Sequence, residues 1–473
     1  MEPAQIARGA AAEPTSGRGE RFRSYSPLRR TAVVLTGTGA HGAYHAGVLR
    51  ALHEAGVKID LLAGHGVGAA GAALAAIDGG ARLWDHDGVW RSGRAAGLYR
   101  WRPAVVVSAA VAVALLALLA IAIVLLIAGV PYATAFALTT LVLLAAVAVA
   151  AVWTARTGRA PGRRAQGAWW WRLAGAPLDA SRARDLFASI IWQLIRGGAP
   201  DTRPSAAVLG RRYCEVLREN LGQPGFRELV LVATDLDARR DVVAALVEDR
   251  WRAGFLAPRA DGDRRGDVLD LGAAARDHAY DLVAAALTPP LACEPSLVTF
   301  ARDSFWRGET HRFCDRPGSL HRLLEEVAAA GVTQVIVVSA VSRTEQPHQL
   351  RVPRLDLRSR LGEFQCAAEA AALRDTLDTA RLRFDSVFLI CPAHNPVGPF
   401  DLAGAYDEAS DRRQELDEVI ERAYEDAHRQ FIEPVIGASG EQLAQAPAAG
   451  GAAGTHGDRL FHDVGSARLR DLD

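Results

Sequence analysis

Thr31-Ala-Val-Val-Leu-Thr-Gly-Thr-Gly-Ala-His-Gly-Ala-Tyr-His-Ala-Gly47 decides how the rest of the chain is read. An apolar, β-branched run leads into Gly37, Gly39 and Gly42 and then into residues with helical spacing, which predicts strand, tight turn and helix. Glycines in such a turn let backbone N–H groups converge above a helix N-terminus, where they favour an anion. Dinucleotide sites use the same G-x-G-x-x-G grammar, but they also need an acidic residue closing the second strand to hold the ribose. Asp60 instead opens that strand, which ends in Ala63-Gly64, so the dinucleotide reading is set aside.

Working outward, the second strand runs into Ala63-Gly-His-Gly-Val-Gly-Ala-Ala-Gly-Ala-Ala-Leu74. This has the outline of a nucleophile elbow, in which small flanking residues let a serine project from a strand-to-helix turn. Gly64-His65-Gly66-Val67-Gly68 keeps both outer glycines of G-x-S-x-G and places Gly66 where the hydroxyl belongs. Around these two turns the pattern alternates. Strands are predicted at 32–35, 59–63, 229–233, 334–339 and 386–391, and helices at 45–55, 67–77, 181–196, 206–220, 320–330, 367–382 and 406–431. Alternation of this kind favours a mostly parallel sheet with helices on both faces, an α/β/α arrangement.

These residues resemble the patatin-like phospholipase family. The resemblance rests on Gly37–Gly42 with the following Ala-Tyr-His-Ala-Gly-Val-Leu, on Ile59-Asp-Leu-Leu-Ala-Gly leading into the elbow, and on Leu231-Val-Ala-Thr-Asp-Leu-Asp237. It covers roughly residues 31–100 and 180–435. It implies a three-layer α/β/α domain that hydrolyses lipid acyl esters with a Ser–Asp dyad, the Gly-rich loop of Gly37, Thr38, Gly39, Ala40, His41 and Gly42 serving as oxyanion hole and no cofactor being needed. The nucleophile position is Gly66. The aspartate position falls on Arg307 in Arg307-Gly308-Glu309, a guanidinium that cannot act as a base near neutral pH. Glu309 and Asp315 are the other candidates for its spatial equivalent. His65, beside the elbow, is a candidate for activating a water, and Thr36 and Thr38 flank the loop as candidates for satisfying backbone groups. His41 and His45 have metal-ligand spacing but no evident third ligand, so no metal is expected and His41 reads as a polar residue at the pocket rim.

Between 104 and 153 there is no charged residue, and Gly129-Val-Pro-Tyr132 divides the stretch into two runs, each long enough for a hydrocarbon core of about 30 Å. A two-helix transmembrane hairpin inserted into the domain is expected, rather than a buried hairpin of a soluble core. Arg91, Arg94, Arg100 and Arg102 precede it and Arg156, Arg159, Arg163 and Arg164 follow it, while the connecting loop has no basic residue, which puts both flanks and both termini in the cytoplasm. Trp101 and Trp153 are expected as interface anchors, and the run at 169–171 as lying along the membrane or against the domain. Residues 1–30 and 437–473 read as disordered tails.

Over 473 residues, Lys plus Arg balances Asp plus Glu at 54 each, so no net field favours nucleic acid. The five cysteines are scattered with no CxxC pair, which suggests neither a disulfide framework nor a thiolate metal site. The expected function is therefore a cell-membrane pseudo-hydrolase that binds a membrane lipid or acyl chain. The alternatives are an active esterase or phospholipase with an unrecognised nucleophile, and a scaffold for a protein partner.

Overall fold

The computed structural model describes residues 25–130, 132–157, 175–199, 201–259, 264–342 and 356–437. Most of both expected tails, and the tryptophans at 169–171, lie outside the described residues. Residues 25–30 are instead tied to the domain: Tyr25 is buried and its hydroxyl donates to Lys58 O, and Arg30 pairs with Glu228.

Among the described residues one sheet holds nine strands: β1 (Thr31–Thr36), β2 (Leu61–Gly64), β5 (Glu228–Asp235), β6 (Arg240–Leu246), β7 (Val268–Asp270), β8 (Ser296–Thr299), β9 (Thr310–Cys314), β10 (Gln334–Ser339) and β11 (Ser386–Ile390). Two short pairs stand apart, β3 (Arg100–Trp101) with β4 (Leu178–Asp179) and β12 (Ala405–Asp407) with β13 (Arg412–Gln414). The sheet order is β11-β10-β1-β2-β5-β6-β7, with β9 on the end of β5 and β8 beside β9. From β11 to β5 the strands are parallel, while β6 and β9 run antiparallel to β5.

Every residue of β1 is buried because apolar side chains leave both of its faces. Val33 and Leu35 join a core with helices α1 (His41–Glu54) and α2 (Val67–Ala75), whereas Ala32 and Val34 join a second core with the helix Ser319–Ala329. Two cores on opposite faces of a mostly parallel sheet make the mixed α/β architecture that the alternating pattern predicts. Pairing of Leu35 with Gly64 brings the turns after β1 and β2 out side by side at the carboxyl edge of the sheet, where open α/β folds place their ligand sites.

Two elements differ from the sequence reading. Strands β6 to β9 add an antiparallel flank, β6 folding back on β5 through a turn at Arg239, whose φ is +57°. The helix expected at 406–431 begins at Leu416, because the buried Asp407 accepts from Ala409 N, Ser410 Oγ and Gln414 Nε2 and so holds β12 and β13 in a hairpin.

The charge-free insertion forms two helices, Pro103–Ile127 and Ala133–Thr157. They pack on each other, with Leu115, Ala122, Ala133 and Thr140 buried, and leave Val106, Val113, Leu116, Val124, Leu138 and Leu141 exposed. Val105–Ile127 has 23 residues at a mean hydropathy of 3.3, long and apolar enough to cross a membrane. In the second helix the described apolar stretch is Ala133–Val149, so among the described residues one helix rather than two is long and apolar enough to cross. β3 and β4 pair where the insertion leaves and re-enters the domain. Because that pairing closes the base, replacing residues 103–176 by a short Gly/Ser linker is expected to leave a folded domain with a cooperative melt by circular dichroism, extractable without detergent. Loss of the cooperative melt would show that the insertion is part of the core.

Candidate active site

The turn after β2 has the elbow geometry. Gly66 sits at φ +58°, ψ −140°, ahead of the first residue of α2, a backbone conformation that glycine adopts without strain. A Cβ built there would lie 2.3 Å from Gly37 O and 2.9 Å from Asp315 Oδ2. The space that a serine side chain would need is therefore filled by the Gly-rich loop and a carboxylate.

The loop itself is closed. Gly37 O accepts Val67 N–H at 2.8 Å, so the amide following the nucleophile position, the usual oxyanion donor of an elbow, is already used. Ala40 N–H donates to Pro399 O at 2.8 Å, and a Cβ at Gly39 would lie 2.0 Å from the same oxygen, so the 399–400 segment seals the loop from outside. The amides of His41 and Gly42 turn back to Thr38 O and Gly39 O. Of the six loop residues, those at 37, 38, 39, 40, 41 and 42 are all buried.

Beneath the loop the polar side chains form one continuous network. His65, fully buried, has Nε2 2.6 Å from Thr36 Oγ1 and Nδ1 3.1 Å from Asp315 Oδ1. Thr38 Oγ1 donates to Asp315 Oδ2 and accepts from Gln365 Nε2. Glu369, one turn beyond Gln365 on the helix Leu357–Arg383, lies with Oε2 2.9 Å from His41 Nδ1, a charge contact rather than an aligned hydrogen bond. His41 Nε2 is 3.8 Å from Cys366 Sγ. His45 donates from Nε2 to Thr36 O at 3.1 Å.

Burial and neighbours set these charges. Burial opposes a charged His41, but Glu369 outweighs it and its pKa is pushed up to about 10. Burial likewise opposes a charged Glu369, and His41 holds its carboxyl below the ordinary range. For His65, burial is again overcome, here by the hydrogen bond and charge of Asp315, and the pKa rises. Burial drives His45 down to about 3, so it is the neutral ring. Two histidine–carboxylate pairs are thus shut in a common interior, and for the charged pair His41–Glu369 removing one partner typically costs about 3–5 kcal/mol.

Of the three residues considered for the acidic position, Asp315 stands beside Gly66, whereas Arg307 and Glu309 do not line the elbow. Asp315, directly after β9, is the carboxylate beside Gly66, because β9 runs toward the carboxyl end of β5, where Cys314 pairs with Thr234, and delivers the next residue to the elbow. Arg307 is at the opposite end of β9, in the turn from β8, exposed and at φ +48°. It lines a separate cleft of about 840 Å³ with Leu256, Arg264, Asp270 and Phe305. Glu309 binds His311 Nε2 at 3.0 Å, with most of its side chain in solvent. His41 is buried beneath the loop instead of standing at a rim. Among the described residues no group of three or more His, Cys, Asp and Glu is placed to hold a metal ion. Sequence reasoning missed Gln365, Glu369 and Pro399. The i,i+4 spacing of Gln365 and Glu369 is a legible helical pair, but the helix was expected to begin only at 367; Pro399 carries no local signal.

Two outcomes follow from this geometry. His41 stabilises the fold fully below its unfolded pKa near 6.5 and loses that contribution as pH climbs toward about 10, whereas Glu369 contributes above about 4.5 and loses it on acidification. The pair therefore contributes most between roughly pH 4.5 and 6.5. The melting temperature of the wild-type protein relative to His41→Gln/Glu369→Gln should decline between pH 6.5 and 10, and parallel profiles would contradict the charge assignment. Gly66→Ser should destabilise by about 1–3 kcal/mol in denaturant titration, since the added atoms meet Gly37 O. It should gain no esterase activity.

No protein-family model and no curated protein sequence matches the chain. Among solved structures it is similar to VipD from Legionella pneumophila, at 11% identity and a TM-score of 0.29, covering 85% of this chain and 66% of that one, just under two thirds of its length.

Proposed function

We propose that this chain is a membrane-anchored, patatin-like pseudo-hydrolase, a domain that keeps the family's strand–turn–helix frame but has exchanged acyl transfer for structure at the old site. The observation that carries the reading is the closed elbow: Gly66 has no nucleophile, and Gly37 O and Asp315 Oδ2 fill the place of one. A covalent acyl route needs an attacking atom, and a base alone transfers no acyl group. The same closure buries the loop under Pro399, which favours a binding or scaffolding role exercised at the membrane over one exercised at the elbow.

The anchoring part of the proposal is a two-span hairpin with the domain and both termini in the cytoplasm. It is supported by the apolar Val105–Ile127 helix, by its packing on Ala133–Thr157 and by arginines on both flanks with none in the connection.

One observation favours a second reading, an active esterase. Thr36 Oγ1, His65 Nε2 and Nδ1, and Asp315 Oδ1 stand in the order nucleophile, base and orienting acid. Against it, Thr36 and His65 are buried, and two of the amides that could hold an oxyanion, those of Val67 and Ala40, are used by Gly37 O and Pro399 O. The purified full-length protein is expected neither to turn over a short-chain nitrophenyl ester nor to react with a fluorophosphonate probe. Labelling that disappears in Thr36→Val would overturn the pseudo-hydrolase reading in favour of the enzyme.

A further inference from the structure

Where the insertion leaves the domain, two guanidinium groups converge without an acid between them. Arg100 Nη2 and Arg182 Nη1 come within 3.2 and 3.5 Å of the point that a Cβ on Gly97 would occupy. Among the described residues neither side chain has an ion-pair or hydrogen-bond partner, although like charges this close repel. The acids of this base are already engaged. Asp179 accepts from Ser181 N at 2.9 Å and Ser181 Oγ at 2.6 Å, and Glu294 accepts from Arg102 Nη1 and Ala176 N, both at 2.9 Å.

The backbone that carries the two arginines is firmly held. Arg100 follows buried Tyr99, whose hydroxyl donates to Leu287 O, and it pairs in β3 with Asp179 of β4. Arg182 occupies the first turn of the helix Ser181–Ile195. Pro103 opens the apolar helix three residues after Arg100, about 10 Å of extended chain at most, so both guanidinium groups reach the interfacial layer of a bilayer spanned by that helix.

We propose that Arg100 and Arg182 form a cradle, opened by Gly97, for the phosphate of an anionic phospholipid at the foot of the membrane hairpin. This rests on the membrane anchoring proposed above. A guanidinium offers paired N–H donors that match two phosphate oxygens, and two guanidinium groups around one open point neutralise a headgroup that carries a net negative charge. A zwitterionic headgroup brings its own cation and gains less. An anionic lipid at this place also removes the repulsion between the two arginines, so the domain's approach to the membrane becomes sensitive to lipid charge.

The test uses full-length protein in mild detergent, incubated with equal amounts of phosphatidylglycerol and phosphatidylcholine, with retained lipid counted by native mass spectrometry. The wild type should retain phosphatidylglycerol with a preference of roughly tenfold. Arg100→Gln/Arg182→Gln should bring the ratio close to one. Gly97→Val, which fills the cradle while keeping both charges, should do the same with an unchanged melting curve. Arg82→Gln/Arg302→Gln, which removes two arginines elsewhere on the surface, should leave the ratio as it was. No preference in the wild type, or a preference surviving both cradle variants, overturns the proposal. Inorganic phosphate supplies the same chemistry without acyl chains; displacement of the lipid by an equal concentration would overturn the lipid assignment in favour of a soluble phosphate. Alkaline carbonate extraction reads the anchoring separately. Protein released from membranes sinks the hairpin and the cradle together, whereas protein retained without lipid preference sinks the cradle alone.

Discussion

The contact between the turn after β1 and the turn after β2 governs this molecule. Gly37 O reaches Val67 N–H at 2.8 Å only because Gly66 carries no side chain, since any Cβ there would lie 2.3 Å from that oxygen. A carbonyl and a carboxylate accordingly face the elbow, where an oxyanion hole needs N–H donors. The absence of a side chain at Gly66 and the closeness of the loop therefore go together: the backbone occupies the space that a side chain would need.

The interior that this closure creates is polar and charged, an expensive arrangement in a low dielectric. It is balanced pair by pair. His65 faces Asp315 and His41 faces Glu369, while Thr36 bonds His65, Thr38 bonds Asp315 and Gln365 bonds Thr38. These groups come from β1, the elbow, the residue after β9 and a long helix near the C-terminal end of the described chain, so the network ties segments far apart in sequence. Buried ion pairs contribute little net stability against apolar replacements, yet losing one partner is costly. The network is thus better understood as fixing one arrangement of the two turns than as deepening the stability of the fold.

Against this rigid centre the membrane insertion is modular. It leaves and returns through the β3–β4 pair, away from the parallel strands, and its helices bury mainly each other. Such an insertion leaves the sheet intact and sets Arg100, Arg102 and Arg182 at the base from which the apolar helices emerge. The charged interior and the charged base differ in solvation. The first is closed and internally neutral, whereas the second carries arginines in excess of its acids.

The sequence by itself determined the mostly parallel sheet, because apolar runs of strand length alternate with helical periods, and it determined the tight turn into α2, because Gly64-His65-Gly66-Val67-Gly68 places a glycine where φ is +58°. It also marked the insertion, since fifty residues without a charge stand out in any window. Tertiary structure alone decided the rest. Which acid neighbours the elbow depends on the direction of β9 relative to β5, a long-range pairing with no local signature, and so Asp315 and not Arg307 stands there. Whether the Gly-rich loop offers amides or withholds them depends on Pro399, more than three hundred residues away in sequence, whose carbonyl takes the Ala40 amide. Periodicity records which face a side chain leaves by; it holds no record of which distant backbone atom will be waiting there.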